Sequence, residues 1–474
     1  MSNHAQDRVH FLGMAGVGVS AIARIMHAQG RQISGTDAKD LPVMAEFAAN
    51  GIPTFVGYAA ANLDTLAAED KLPHTIVASS IAQDGNPEFE AARERGLRLL
   101  HRSEALAETM IGHRVVAVAG THGKTTTSSM IATALRSADL DPTFAIGANL
   151  VDLGVNAYVG AGDLFVAEAD ESDGSLLNYT PNIVVLTNVE PDHLDHYGTA
   201  EAVYQVFKDF IAGIVPNGTL IYCADDPGAA ATAQWAATHR SDLTLLGYGV
   251  SEGADYKLIE GVPSQQGQHF TVGTRHVEHQ VSLQMPGRHN ALNAAAAVAV
   301  ADVVEADMTK ALAGLGGFGG AARRFQYHGE ANGVRVFDDY AHHPTEVHAV
   351  LNAAQSIAGT GKVRVLFQPH LFSRTQEFFT EFAAALELAD EAILLPIYPA
   401  REEPIPGVTS ALIAEHIQQG AQVLEAAAAV EELASHAKPG DVLLTIGAGD
   451  VTYAAPQLVC QLAATSTPEA DQQP

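Results

Sequence analysis

The sequence predicts an α/β protein of three domains, and three observations carry that reading. The chain has 474 residues, enough for two to four domains that each bury a core of their own. Three times along it a new series of short apolar runs begins, alternating with Ala-rich helical stretches, which is the pattern of parallel α/β units rather than of a repeat array. Two of these series open with an apolar strand running through a glycine loop into a helix, the local arrangement that holds phosphate groups.

The first domain is expected over residues 1–108, closing near Ala107. A strand over 9–12 leads through Gly13, Gly16 and Gly18 into a helix over 20–29, then to a second strand ending near Asp37 and a third over 75–79. Asp37 follows Gly18 by nineteen residues, as in dinucleotide-binding, Rossmann-like units, although the glycine spacing is not GxGxxG. Alone, this pattern fits a nicotinamide dehydrogenase, or a tight turn that holds no ligand.

The central domain is expected over 109–322. It opens with a strand over 114–118 that enters the loop Gly120-Thr121-His122-Gly123-Lys124-Thr125-Thr126 and then a helix. Such a turn aims backbone N–H groups and the positive end of a helix at one spot, where Lys124 would reach terminal phosphates and Thr125 or Thr126 would offer a hydroxyl to Mg2+. The loop departs from GxxxxGK[ST]: Val118 stands where the first glycine belongs, and only Thr121 and His122 separate Gly120 from Gly123. A plain strand-to-helix turn with a surface lysine is the alternative. Further strands are expected over 164–167 and 183–186, antiparallel β over 248–285, and an inter-domain hinge at the glycine-rich stretch 314–320. A third, Rossmann-like α/β domain over 323–474 has strands near 334–337, 363–367, 392–395 and 442–446.

Charge narrows the partners. The formal charge is −29, from 26 Lys+Arg against 55 Asp+Glu, and no basic patch offsets it, so nucleic acid and membrane surfaces are poor partners. A chain this acidic must neutralise phosphate locally with a few placed cations and bound metal. Each basic residue inside a motif therefore carries weight. Cys223 and Cys460 are far apart and belong to no CxxC or Cys/His cluster, so neither a disulfide framework nor a zinc site is expected. No secretory leader or apolar run of about eighteen residues occurs, and a cytoplasmic location is expected. The polar tail over 465–474 is expected to fray.

Two more strand ends bring polar groups to the phosphate loop. The strand over 164–167 ends in Glu168-Ala169-Asp170-Glu171-Ser172-Asp173, four carboxylates at the edge where α/β sheets bind ligands. Strand alternation makes Glu168 and Asp170 face the same way, with Glu168 the better placed for metal. A solvated acidic turn is the alternative. The strand over 183–186 ends in Asn188-Val189-Glu190-Pro191-Asp192-His193-Leu194-Asp195-His196, where His193 is either a metal ligand or a helix-entry residue.

Together the loop GTHGKTTT, the stretch EADESDGS and the box NVEPDHLDHY resemble the Mur ligases of peptidoglycan synthesis. Further boxes agree in order across nearly the whole chain: Gly287-Arg288-His289-Asn290-Ala291-Leu292-Asn293, Arg323-Arg324-Phe325-Gln326, DDYAHHPTE at 338–346, Phe367-Gln368-Pro369-His370 and Ser373-Arg374-Thr375. The opening box HFLGMAGVGVS and DDYAHHPTE look most like the branch that adds L-alanine to UDP-N-acetylmuramate. The branch that attaches a recycled tripeptide is its nearest relative.

The resemblance implies a central P-loop ATPase-type domain, ATP and Mg2+ as cofactors, and a reaction through an acyl phosphate. It implies that Thr125 and Glu168 hold one Mg2+ and that Glu168 and His193 share a second, with Glu171 the weaker candidate. Asn290 would contact adenine, Arg323 or Arg324 the transferring phosphate, and Asp339 the ATP ribose, a grip that requires closure. Arg374 with His370 would clamp the amino-acid carboxylate. Gly13, Gly16 and Gly18 would hold the sugar-nucleotide diphosphate, with Asp37 near the uridine ribose and Ser79, Ser80, Arg102 and Ser103 completing the site. His342 is the candidate base for the incoming amine, because an ordinary histidine titrates near working pH. His343 is the alternative base, and a helix-start histidine before Pro344 is the other reading of either. Other Mur ligases carry a carbamylated lysine in the helix after the DHLD box; Lys208 lies at a plausible distance for it and is expected here to be an ordinary solvated helix residue. The partners are thus UDP-N-acetylmuramate and L-alanine, on a monomer or homodimer. A phosphate-loop ATPase of other function and a dehydrogenase are the competing readings.

Overall fold

A computed structural model describes residues 7–79, 85–259, 261, 263–264, 267–274, 277–400 and 402–464. Ser80 and the tail over 465–474 lie outside them. The chain forms two compact units, one of residues 1–257, 273–277 and 293–314, the other of residues 258–272, 278–292 and 315–474. The strands form mixed α/β layers, as the alternating pattern requires.

In the first unit, β1 (Arg8–Leu12), β2 (Gln32–Asp37), β3 (Thr54–Val56), β4 (Thr75–Ala78) and β5 (Arg98–His101) make a parallel sheet in the order β3-β2-β1-β4-β5. Strand order reverses beside β1, so the crevice at its C-terminal end is where such sheets take ligands. The sequence pattern found β1, β2 and β4 but not β3 or β5. β3 has only three residues, none of them buried, and so carries no apolar signal.

The same unit holds a second sheet, built from β6 (Arg114–Ala119), β7 (Thr143–Ala145), β8 (Ala157–Tyr158), β9 (Leu164–Glu168), β10 (Ile183–Leu186), β11 (Thr219–Cys223) and β12 (Thr244–Gly249). Their order is β12-β11-β10-β6-β9-β7-β8, parallel throughout except β8. β10 is buried along its whole length, as are β6 after its first residue and β9 before its last. Burial on both faces explains their unbroken apolar runs.

Antiparallel β over 248–285 holds only in part. Tyr248 of β12 faces Tyr256 of β13 (Tyr256–Ile259) in parallel register. The antiparallel ladder belongs to β14 (Pro263–Ser264) and β15 (Gly267–Gly273), with β16 (Glu278–Leu283) beside β15. The glycine-rich stretch 314–320 does span the boundary between the two units, which falls after Gly314, but its start is helical rather than a free hinge. Gly314 and Gly316 lie in the helix Met308–Gly316, and a Cβ on Gly314 would come within 2.4 Å of Ser137 Oγ. Gly314 thus admits close packing on the helix Lys124–Ser137. Leu315 and Phe318 are buried.

The second unit carries β17 (Gln326–Ala331), β18 (Val334–Asp339), β19 (Val363–Phe367), β20 (Glu391–Leu394), β21 (Gln422–Val423) and β22 (Val442–Ile446), in the order β17-β18-β22-β19-β20-β21. β17 runs antiparallel to β18 and the rest are parallel. At the N-terminal ends of its central strands the Arg364 guanidinium, 7% exposed, donates to Asp441 Oδ2 at 3.0 Å and pairs with Glu391. Asp441 also accepts the backbone N–H groups of Lys362 and Lys438. One buried cation thereby ties three strands.

Arg364→Ala leaves two carboxylates without their cation, a loss of about 3 kcal/mol. Urea unfolding followed by circular dichroism should show it as a lower midpoint at unchanged slope. An unshifted midpoint would mean that the clamp contributes nothing.

Candidate active site

β6 lies between β10 and β9, and that order alone brings three strand ends together. β6 gives way to the loop 120–123 and the helix Lys124–Ser137. Gly120 has φ +137, and a Cβ there would stand 2.0 Å from Thr187 Oγ1, so no larger residue fits. Gly123 at φ +82 turns the chain into the helix. The end of β10 pins this loop: Asn188 Oδ1 accepts from His122 N at 2.8 Å, the Asn188 carbonyl from Thr121 N at 3.1 Å, and Thr187 Oγ1 donates to the His122 carbonyl at 2.7 Å. Thr121 Oγ1 exchanges hydrogen bonds with the backbone of Glu190. The first-turn N–H groups of the following helix have no partner inside the helix, an arrangement that can hold a phosphate group.

Lys124 Nζ folds over the loop, donating to the carbonyls of Gly120 at 2.7 Å and Thr121 at 3.0 Å and to Glu171 Oε1 at 2.9 Å. Burial opposes its charge, but Glu171, Asp170 and Glu168 overcome that, so its pKa ends above the ordinary lysine value. Glu171, 1% exposed, is pushed up to about 7 by burial, with Lys124 opposing and Asp170 reinforcing. Glu168 meets the helix instead: its Oε1 accepts from Thr125 Oγ1 at 3.0 Å and its Oε2 from Gly147 N at 2.7 Å. Thr125 and Glu168 are therefore in contact, as a shared metal site requires. A hydroxyl and a carboxylate are hard oxygen donors that suit Mg2+.

His193 has φ +56 and opens the short helix Leu194–Tyr197. Its Nε2 lies 3.8 Å from Glu171 Oε1 and 3.7 Å from Asp192 Oδ2. The helix-entry reading thus holds for its backbone, while its ring stands beside Glu171. Tyr197 Oη donates to the Glu171 carbonyl. Asp170 does not share the Thr125 contact of Glu168; its Oδ2 takes Arg102 Nη2 at 3.1 Å.

In the first sheet, Gly13 at φ +73 follows β1, and Gly16 starts the helix Val17–Ala28 three residues earlier than expected. The Thr36 carbonyl accepts from Gly13 N and Met14 N, and Asp37 Oδ2 from Ala15 N at 2.9 Å. Asp37 thus braces the glycine loop. Thr36 belongs to a buried group in which His10 Nδ1 meets Ser34 Oγ at 2.8 Å and Thr36 Oγ1 donates to Glu88 Oε1 at 2.9 Å. Gly18 lies beside Arg102: a Cβ there would be 3.8 Å from Arg102 Nη1. Ser79 is half-buried just past β4. Ser103 accepts from Asn178 Nδ2 at 2.7 Å.

The second unit holds the remaining candidates. Asn290 is buried, its Nδ2 donating to the Pro286 carbonyl at 2.7 Å. Asp339 accepts Phe325 N and Ala341 N, both at 2.7 Å, and burial pushes it up to about 6 against the pull of Arg324. Arg323 donates to the Gly447 carbonyl at 2.5 Å, and both Arg323 and Arg324 lie over the Tyr340 ring. His343 opens the helix Pro344–Ala358 in a capping box with Glu346, which is the helix-start reading. His342 Nδ1 meets the Tyr340 carbonyl at 3.0 Å, and burial, against the opposing charge of Glu346, takes its pKa down to about 3. The ordinary titration that recommended it as a base is therefore lost. His370 stacks on Tyr398 and meets the His342 ring edge-on at 5.9 Å. Arg374, 9% exposed, sits in the first turn of the helix Phe372–Leu386.

Sequence reasoning did not single out Gly147, Thr187 or Asn188 as loop supports, or the Lys124–Glu171 pair. Asn188 had a signal, since it stands two residues past an apolar strand and opens a second polar box. Gly147 had none, because its neighbour Glu168 is twenty-one residues away.

Known proteins place this geometry. Residues 8–114 match the family model described as Mur ligase family, catalytic domain, residues 118–301 the Mur ligase middle domain, and residues 323–449 the Mur ligase, glutamate ligase domain. The UDP-N-acetylmuramate–L-alanine ligase of Paenarthrobacter aurescens is 57% identical over 452 residues, covering 95% of this chain and 96% of that protein. The ligase of the same name from Renibacterium salmoninarum is 52% identical over 457 residues, 96% of each chain. Among solved structures, the UDP-N-acetylmuramate-alanine ligase of Thermotoga maritima superposes with a TM-score of 0.79 at 27% identity, covering 97% of this chain and all of the other. A murein peptide ligase of Psychrobacter arcticus superposes at 0.69 with 26% identity, covering 96% and 99%.

His342 also sets a pH test. An unfolded histidine titrates near about 6.5 and the folded one at about 3, so the unfolded chain binds more protons in between, and this group's stabilisation is complete above about pH 6.5 and lost as pH falls. His342→Gln should therefore show a shallower fall in melting temperature between about pH 6.5 and 4 than the parent. An equal slope would mean that the buried ring does not govern acid sensitivity.

Proposed function

The chain belongs to the Mur ligase family, and from that premise we propose that it joins L-alanine to the carboxylate of UDP-N-acetylmuramate at the expense of ATP, in peptidoglycan precursor synthesis. The observation that carries this reading is the three-strand convergence on a phosphate loop whose lysine is held by Glu171 and whose Thr125 meets Glu168. Nothing in that arrangement serves as a protein nucleophile. It is instead built to position and neutralise phosphoryl groups.

In the proposed reaction a carboxylate oxygen of the sugar nucleotide bonds to the γ-phosphorus of ATP, the bond to ADP breaks, and an acyl phosphate results. The L-alanine nitrogen then bonds to the acyl carbon, phosphate leaves, and the amine gives up its proton. Lys124 would exchange its loop carbonyls for the terminal phosphates, with the N–H groups at the start of its helix on the same oxygens. Mg2+, held by Thr125 and Glu168, would offset phosphate charge, and His193, whose ring stands beside Glu171, is the further candidate ligand.

The residues of the second unit enter as proposals of their own: Arg374 and His370 for the amino-acid carboxylate, Asn290 and Asp339 for adenosine, and Arg323 for phosphate. With its Nδ1 proton on the Tyr340 carbonyl, His342 has its lone pair at Nε2. It would accept a hydrogen bond from the amine rather than act as a strong base. Gly13, Gly16, Gly18, Asp37 and Ser79 would form the sugar-nucleotide site. A cytoplasmic location fits these substrates, and among the described residues no helix is long and apolar enough to cross a membrane.

ADP release should require UDP-N-acetylmuramate and L-alanine together, and hydroxylamine should trap an acyl hydroxamate when ATP and the sugar nucleotide are present without alanine. ADP release indifferent to both substrates would instead identify an ATPase of other function. Comparing L-alanine with glycine, L-serine and the tripeptide separates the branches of the family. Lys124→Ala should lower amide formation by at least about a thousandfold while titration calorimetry still detects UDP-N-acetylmuramate binding; loss of both would refute the division of labour between the two sheets. Lys208, half-buried on the helix Ala200–Ala212, makes the opposite test. Lys208→Ala should keep kcat/KM within about threefold, because a change at an ordinary helix residue usually costs little, and a collapse restored by an added short carboxylic acid would instead reveal a carbamylated lysine.

A further inference from the structure

One side chain stands between the glycine loop of the first sheet and the acidic loop of the second. Arg102 is the first residue of the helix Arg102–Met110. Its Nη2 donates to Asp170 Oδ2 at 3.1 Å and Asp173 Oδ2 at 3.4 Å. Its Nη1 lies against Gly18, where a Cβ would be 3.8 Å away. The two nitrogens of one fork thus face two different segments, the first turn of the helix that leaves the glycine loop and the acidic loop.

The acidic side of this contact is built. Asp170 Oδ1 accepts from Ser172 N at 3.1 Å and Asp173 Oδ1 from Ser175 N at 3.0 Å, so both carboxylates are oriented before Arg102 reaches them. His101 Nε2 adds a contact to Asp173 at 3.7 Å, and Asn178 Nδ2 donates to Ser103 Oγ. The start of this helix is therefore fastened to the segment 170–178 at four places. That segment includes Glu171, the carboxylate that holds Lys124, and Asp170 itself helps keep Lys124 charged. Arg102 and one short acidic loop thus link the glycine loop to the phosphate-loop lysine.

We propose that Arg102 couples the two nucleotide sites, its Nη1 meeting the diphosphate of the sugar nucleotide over Gly18 while its Nη2 keeps the Asp170–Asp173 loop in the position that presents Lys124 to ATP. The proposal rests on the reading of the glycine loop as the sugar-nucleotide site. An arginine suits this work because its fork is planar and carries donors on separate nitrogens, whereas a lysine offers a single point charge. A diphosphate drawing on the guanidinium changes how firmly it holds Asp170 and Asp173, and the effect reaches Glu171 through the loop backbone. Coupling of this kind is reciprocal, so ATP must tighten the sugar nucleotide by the same factor.

Titration calorimetry on the full chain tests it, with the non-hydrolysable analogue AMP-PNP and Mg2+ titrated with and without saturating UDP-N-acetylmuramate. The parent should bind AMP-PNP about tenfold tighter when the sugar nucleotide is present. The double variant Asp170→Asn, Asp173→Asn should bind UDP-N-acetylmuramate alone within about twofold of the parent but lose the tenfold effect, since only the second half of the fork has lost its partners. Arg102→Lys, which keeps the charge and cannot bridge, should also lose it, and serves as the second arm where the double variant does not fold. Coupling that persists unchanged in either variant, or that is absent in the parent, overturns the proposal. A parent that binds AMP-PNP but not UDP-N-acetylmuramate at all instead overturns the reading of the glycine loop.

Discussion

A chain with a formal charge of −29 that buries a lysine ammonium against a phosphate loop must provide that ammonium with a carboxylate, and Glu171 is the carboxylate. The Lys124–Glu171 pair at 2.8 Å is the constraint around which the site is arranged. An unpaired buried ammonium would lose its charge to desolvation, and a neutral amine is of little use to a phosphate. A pair that is too strong would be equally unhelpful, because phosphate has to compete for the same ammonium. Burial pushes Glu171 up to about 7 even against the opposing charge of Lys124, which tempers the carboxylate's hold on the ammonium.

The sheet makes this pairing possible without long-range coincidence. Because β9 and β10 flank β6 in parallel, whatever follows each strand emerges at one edge, where the loop also emerges. Glu168 and Glu171 come from one neighbour, and Thr187, Asn188 and His193 from the other. Gly120 then lets the backbone pass through a space that Thr187 and Asn188 leave too narrow for a side chain, and Gly123 at φ +82 turns it into the helix. Crowding at Gly120 and ion pairing at Lys124 are therefore two consequences of the same strand order.

That strand order explains what can be read from the sequence. Apolar runs such as Ile183–Leu186 in β10 mark strands, and polar residues directly after them mark a ligand edge, so Gly120, Lys124, Glu168 and His193 are legible from sequence alone. Partner choice is not. Strand alternation pairs Glu168 with Asp170, but the chain leaves the strand after Glu168, and Asp170 turns to Arg102, the first residue of a helix sixty-eight positions away. Nor can His342 be judged from its ordinary pKa, since its titration is set by burial that spacing does not reveal. His343 is the converse case: His-Pro followed by Thr-Glu is a local helix-start signal, and the structure uses it as one. The three-residue β3 and the packing glycine Gly314 show the same divide, because neither writes its role into its neighbours.

The central claim is chemical: the site activates the sugar-nucleotide carboxylate by phosphorylating it. The most direct measurement uses UDP-N-acetylmuramate whose carboxylate carries 18O, turned over with ATP and L-alanine, followed by mass spectrometry of the released phosphate. Transfer of one 18O from carboxylate to phosphate in each turnover is the predicted result, because the acyl phosphate keeps that oxygen when the amine displaces it. Amide product accompanied by unlabelled phosphate would contradict the account.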